Sequence, residues 1–190
     1  GDGLGLTEMW APTHIKMGKK NTFGTIGYPI GFVKSKIVDP KSLKDIVPGS
    51  KIDLQEVPTG NAGLLLVNGP GMMKGYLNNQ EETDKVFFYD LDGTRWYNTG
   101  DLVIRTGLGD NEYKFAGRQK RNFVCGVDNI YPEQIEQLVA QLPEVRDIVV
   151  TEVPDAKYQF LPVYHISLCD ANVDTNKLKN KIDVLINDTL

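Results

Sequence analysis

Only two of the 190 residues are cysteine, Cys125 and Cys169. They are too few for a disulfide framework and lack a metal-ligand spacing, so they read as reduced thiols of a cytoplasmic protein. Long apolar runs are missing as well. No stretch approaches the roughly 20 residues of a membrane-spanning helix, and Gly1-Asp2-Gly3-Leu4 has neither the basic nor the apolar region of a secretory leader. There is no basic surplus: 21 Lys and Arg stand against 25 Asp and Glu, a formal net charge of −4 at pH 7. That balance argues against nucleic acid, whose phosphates recruit clustered cations. Repeats and low-complexity tracts are also absent. What remains, at 41% hydrophobic and 24% charged, is an ordinary globular composition with length for one large or two small domains.

The first two thirds read as short strands separated by turn residues. Val33 to Val38 is β-prone until Asp39-Pro40, and Ile52 to Val57 alternates apolar and polar until Pro58. Ala62 to Val67 is an apolar run closed by Asn68-Gly69-Pro70-Gly71. Such spacing predicts a mainly β subdomain, a distorted β-barrel or sandwich. The texture changes after Arg121. Pro132 suits a first helical position, and Ile135, Leu138, Val139 and Leu142 then recur at helical spacing. Arg146 to Val153 and Leu161 to Leu168 have strand character, and Leu178, Ile182, Leu185 and Ile186 form the apolar stripe of a second helix. A small, incomplete α+β domain is therefore expected after the β subdomain, with residues 1–117 and 122–190 on either side of a basic hinge at 118–121.

Four segments carry chemistry. In Gly5-Leu6-Thr7-Glu8, the glycine permits close backbone approach to a phosphate, the Thr7 hydroxyl can donate to it, and the Glu8 carboxylate can ligate a hard cation. The same tetrapeptide also fits a plain helix start. In Thr99-Gly100-Asp101, an ionised aspartate can accept from two vicinal hydroxyls of a ribose, or it can close a turn on its own backbone. Arg118 offers a permanent planar fork of donors for phosphate or ribose oxygens, while Lys120 and Arg121 also fit a solvated linker. In Phe123 to Pro132, Gly126 permits close backbone approach. Cys125 has no histidine near it in sequence, which argues against a catalytic thiol. Glu133 and Glu136 sit where carboxylates favour a helix N-terminus. His14 could border a pocket, or be a partly exposed loop histidine.

In this order the segments resemble the motifs of the adenylate-forming superfamily of acyl-CoA synthetases, luciferases and peptide-synthetase adenylation domains. Trp96-Tyr97-Asn98-Thr99-Gly100-Asp101-Leu102 followed by Phe115-Ala116-Gly117-Arg118-Gln119-Lys120-Arg121 is the most specific pair. The resemblance implies that Thr7 contacts the AMP phosphate, Glu8 binds magnesium, Asp101 takes the ribose, and Arg118 contacts the nucleotide. Lys120 falls at the pivot of the C-terminal domain, and Gly126 lies in the loop that faces the pantetheine arm. Gly24 to Pro29 resembles the turn that opens the barrel, and Gly63 to Val67 through Gly75-Tyr76-Leu77-Asn78-Asn79, with Glu81 and Thr83, resembles further scaffold. One departure is Leu4, where the family usually has an aromatic residue stacking on adenine.

The implied function is an AMP-forming carboxylate ligase, an acyl-CoA synthetase of fatty acid metabolism. Its substrates and cofactors would be a small-molecule carboxylate, ATP/AMP, Mg2+ and coenzyme A. The chain shows neither the Ser/Thr/Gly-rich phosphate loop nor the C-terminal catalytic lysine motif, and Lys177, Lys179 and Lys181 read as solvated helix lysines. A C-terminal fragment, inactive in isolation, is therefore expected. The alternatives are an adenylation domain loading a carrier-protein phosphopantetheine and a non-catalytic, ligase-derived binding module.

Overall fold

The computed structural model describes residues 3–16, 25–107 and 112–189. The chain divides into two compact units, Gly1–Gln119 and Lys120–Leu190. The first holds β1 (Gly3–Leu6), β2 (Ala11–Ile15), β3 (Thr25–Pro29), β4 (Lys34–Val38), β5 (Lys51–Ile52), β6 (Ala62–Asn68), α1 (Gln80–Val86), β7 (Phe87–Asp90), β8 (Arg95–Arg105) and β9 (Tyr113–Arg118). Its sheet runs β1-β2-β3-β9-β8-β6-β4, with β7 pairing both β8 and the short β5. The mainly β expectation holds. Among the described residues no pairing joins β1 to β4, so the sheet is an open path.

β6 shows why the core forms here. It lies between β4 and β8, and Leu64, Leu65, Leu66 and Val67 are all fully buried. A strand covered on both faces has no polar side to present, and its sequence is accordingly a continuous apolar run. Leu65 and Val67 join Met9, Ile26, Ile37, Phe87, Tyr97, Val103 and Tyr113 in one cluster. At Gly27, φ is +83° and an added Cβ would run into the Ile15 backbone, so only glycine fits. Gly24, which opened the expected turn, lies outside the described residues, and Thr25 to Pro29 form β3.

Two local expectations change. Val33 stays outside β4, and only Ile52 of the Ile52–Val57 run is in β5. Asp53 interrupts that strand by folding back on its neighbour: the Gln55 N–H donates to the Asp53 carbonyl at 3.1 Å and Gln55 Nε2 to its carboxylate at 2.6 Å. Beyond this turn only Glu56 makes an isolated bridge, to Val38.

The second unit holds β10 (Phe123–Cys125), β11 (Asp128–Ile130), α2 (Pro132–Val139), β12 (Val145–Asp155), β13 (Gln159–Leu168) and α3 (Thr175–Thr189). The antiparallel sheet runs β11-β10-β13-β12. Pro132 occupies the start of α2, as its missing N–H allows. Ile135 and Val139 from α2 pack with Leu178 and Ile182 from α3 and with Val145, Ile148 and Val150 from β12. This is the α+β arrangement that the helical and alternating patterns predict.

Candidate functional site

Thr7 and Glu8 sit on a single 3-10 turn, Thr7–Met9, directly after β1. Leu6 occupies the N-cap, so Thr7 does not serve as the cap that the plain helix-start reading needs; its side chain is exposed. The turn ends at Trp10, whose φ of 57° breaks the helix and leaves the indole 89% exposed. The loop after β6 straps this turn: the Met73 N–H donates to the Glu8 carbonyl at 2.7 Å. Tyr76 Oη then donates to Glu8 Oε1 at 3.1 Å. Tyr97, in β8, is buried beside this pair: burial, then Tyr76 and Glu8, push its phenol up.

Asp101 is built differently. A bulge in β8 opposite Leu65 lets Thr99 Oγ1 donate to the Leu65 carbonyl at 2.9 Å and accept from the Asp101 N–H at 3.0 Å. Gly100 carries the positive φ, +73°, that this bend requires. Asp101 thereby turns inward with 0% exposure. Across the ladder it faces Arg118 of β9, whose Nη1 lies 2.8 Å from Oδ1. The contact is an ion pair by distance, but the donor direction misses, and neither carboxylate oxygen receives an aligned hydrogen bond. Burial pushes the Asp101 carboxyl up to about 6, against the opposing pull of Arg118 and Thr99. The result is a dry carboxylate with open acceptor sites beneath a half-exposed guanidinium.

The first unit therefore contains Thr7, Glu8, Asp101 and Arg118, and β8 serves both clusters through Tyr97 and Asp101. Lys120 and Gly126 belong to the second unit. Lys120 is exposed at the boundary. Gly126 has φ +64° and donates its N–H to the Tyr158 carbonyl at 2.8 Å, so a tight turn already accounts for the glycine. Arg121 is an ion-pairing residue: its guanidinium reaches Glu133 at 3.2 Å and Glu136 at 2.7 Å. Glu136 also accepts from the Val150 N–H at 2.8 Å, which ties α2 to β12.

His14 departs from its expected exposed-loop setting. It lies in β2 with 0% exposure, edge-on to the Tyr113 ring at 5.0 Å. Thr13 Oγ1 donates to the Leu4 carbonyl, so His14 Nδ1 must be the donor in its 3.1 Å bond to the same hydroxyl. Nε2 is left without a partner, and burial pushes the imidazole down to about 4.

Among the described residues no group of three or more His, Cys, Asp or Glu could cage a metal. A single carboxylate such as Glu8 nevertheless fits Mg2+ delivered on phosphates, because that ion keeps waters and takes few protein ligands. The acceptor sites of Asp101 fit vicinal hydroxyls. Sequence reasoning passed over Tyr76 and Tyr97 as contacts of Glu8. Tyr76 lies 68 residues from Glu8, and no local pattern marks the pair.

The family model described as AMP-binding enzyme matches residues 1–77, a span that includes Thr7, Glu8 and Tyr76. The chain is 33% identical over 135 residues to the acyl-CoA ligase sidI of Aspergillus fumigatus, covering 70% of this chain and 20% of that protein. It is 29% identical over 154 residues to the medium/long-chain-fatty-acid–[acyl-carrier-protein] ligase FadD10 of Mycobacterium tuberculosis, covering 81% of this chain and 26% of that one. In fold it is similar to ATP-bound MatB from Rhodopseudomonas palustris, with TM-score 0.76 and 24% identity over 95% of this chain and 33% of that chain. The chain thus spans about a quarter of the length of the curated relatives it matches.

Proposed function

Because the chain belongs to the adenylate-forming superfamily, we propose that it is part of an AMP-forming carboxylate ligase acting on ATP, Mg2+, an organic acid and the thiol of coenzyme A. The carboxylate attacks the α-phosphorus of ATP and expels pyrophosphate to give an acyl-adenylate; the thiol then takes the acyl group and releases AMP. In this reading Asp101 accepts the ribose hydroxyls and Arg118 swings from its carboxylate to nucleotide oxygens. Thr7 would donate to the α-phosphate, and Glu8 would hold a magnesium ion, which when bound would offset charge as the adenylyl group passes to the acid. Lys120 is the pivot of the second unit, and Gly126 lies along the thiol's approach. The reaction takes place in the cytoplasm.

One observation carries the proposal: Asp101 is fully buried, holds two carboxylate oxygens with no aligned donor, and faces Arg118. A purely structural aspartate at that cost would have recruited donors from its surroundings. A carrier-protein thiol as acceptor is the second reading, supported by the likeness to a ligase whose name specifies acyl-carrier protein. ATP–pyrophosphate exchange by the full-length protein over a panel of carboxylates tests the ligase reading, and competing coenzyme A with a carrier protein in the thiol step separates the two acceptors. No acid-dependent exchange with any carboxylate would sink both.

A further inference from the structure

We propose that Tyr76, backed by the buried Tyr97, is a positioning residue that holds Glu8 by a hydrogen bond to Oε1 and presents the other oxygen to a divalent cation. This rests on the reading of Glu8 as the cation ligand. An ionised carboxylate only accepts, so the Tyr76 hydroxyl spends its single proton on Glu8 Oε1, 3.1 Å away.

Each link is anchored independently. Tyr97 is 4% exposed, with its ring edge-on to Phe87 at 5.7 Å. The Tyr76 N–H donates to Thr83 Oγ1 at 2.9 Å, and that hydroxyl donates in turn to the Asn79 carbonyl at 2.8 Å. Gly75 is what lets this happen, since a Cβ there would stand 2.8 Å from Thr83 Cγ2. The Met73 N–H holds the Glu8 carbonyl. An unsupported glutamate on a 3-10 turn would have to freeze its rotamers on binding a cation, whereas this one is already held. Burial pushes the Tyr97 phenol well up, and Tyr76 and Glu8 both add to it. For Tyr76, Tyr97 pulls down, but burial and Glu8 together win and hold the phenol up.

The test uses the full-length protein in two arms. In metal-free protein, phenolate absorbance is followed against pH for the parent, Glu8→Gln and Tyr76→Phe. Glu8→Gln should lower one tyrosine's pKa, and Tyr76→Phe should remove that titration. In the nucleotide complex, Mn2+ affinity is read by electron paramagnetic resonance. Tyr76→Phe should weaken it about 3- to 10-fold, the worth of one hydrogen bond. Tyr97→Phe should weaken it less, and Tyr76→Phe should add nothing to Glu8→Gln. If Mn2+ affinity drops with Glu8→Gln but not with either tyrosine variant, the positioning role is overturned and the ligand reading survives. If it is indifferent to Glu8→Gln as well, both readings fall, whatever the first arm shows.

Discussion

Two buried ionisable side chains pull the stability of the first unit in opposite directions with pH. Asp101 titrates near 6 when folded, against 3.8 ordinarily. Below the lower value it is protonated in both states; as pH rises through the folded value, the folded chain must ionise a dry carboxyl and loses that stability. Asp101→Asn should therefore gain about 2–3 kcal/mol over the parent at about pH 8 and nothing at about pH 4, as measured by urea unfolding. A site kept costly for a ligand behaves this way, whereas a structural aspartate would destabilise on replacement. His14 has the other sign. Its folded pKa of about 4 lies below the ordinary 6.5, so its contribution is present above 6.5 and is lost as pH falls through 4. Relative to His14→Leu, the parent should lose roughly 3 kcal/mol on acidification over that window. The two effects overlap and partly cancel, so the single variants, not the parent curve, separate them. An acid slope unchanged in His14→Leu would remove the histidine from the account.

At the scale of elements, the loop between β6 and α1 organises the Glu8 turn. Gly71 packs so closely that an added Cβ would strike the Met9 carbonyl oxygen. Gly71→Ala should cost about 1–3 kcal/mol by overpacking and shift the Glu8 turn, visible as altered amide chemical shifts for 7–10. Unchanged stability and shifts would mean that the strap is not tight. What the sequence disclosed here was local. The stripe of Ile135 and Val139 behind Pro132 and that of Leu178 and Ile182 were legible, because helix and strand periods need only neighbouring residues. Thr99, Gly100 and Asp101 were legible by motif, but the bulge on Leu65 that turns Asp101 inward was not, since it depends on a strand 34 residues earlier. Likewise the alternation at Ile52–Val57 misled because Asp53 and Gln55 satisfied each other in a turn. His14 gave no local sign of burial, which comes from its packing on Tyr113, nearly a hundred positions along the chain.

At the scale of the whole molecule, the boundary between the compact units falls between Gln119 and Lys120. If Lys120 is a pivot, only its backbone torsions need change, and Lys120→Pro fixes φ while removing an N–H. In the full-length protein that variant should keep either adenylate formation or thioester formation from supplied adenylate, but not both. Two parental half-reactions in a folded variant would end the pivot reading. The central claim, that this chain grips a nucleotide through Asp101, is decided by calorimetric binding of AMP and its 2′,3′-dideoxy analogue to full-length parent and Asp101→Asn. With charge-assisted hydrogen bonds at about 1.5–3 kcal/mol, the parent should prefer AMP by at least about tenfold and the Asn variant should lose most of that preference. An equal preference in both proteins, or none in the parent, would contradict the assignment of the ribose to Asp101.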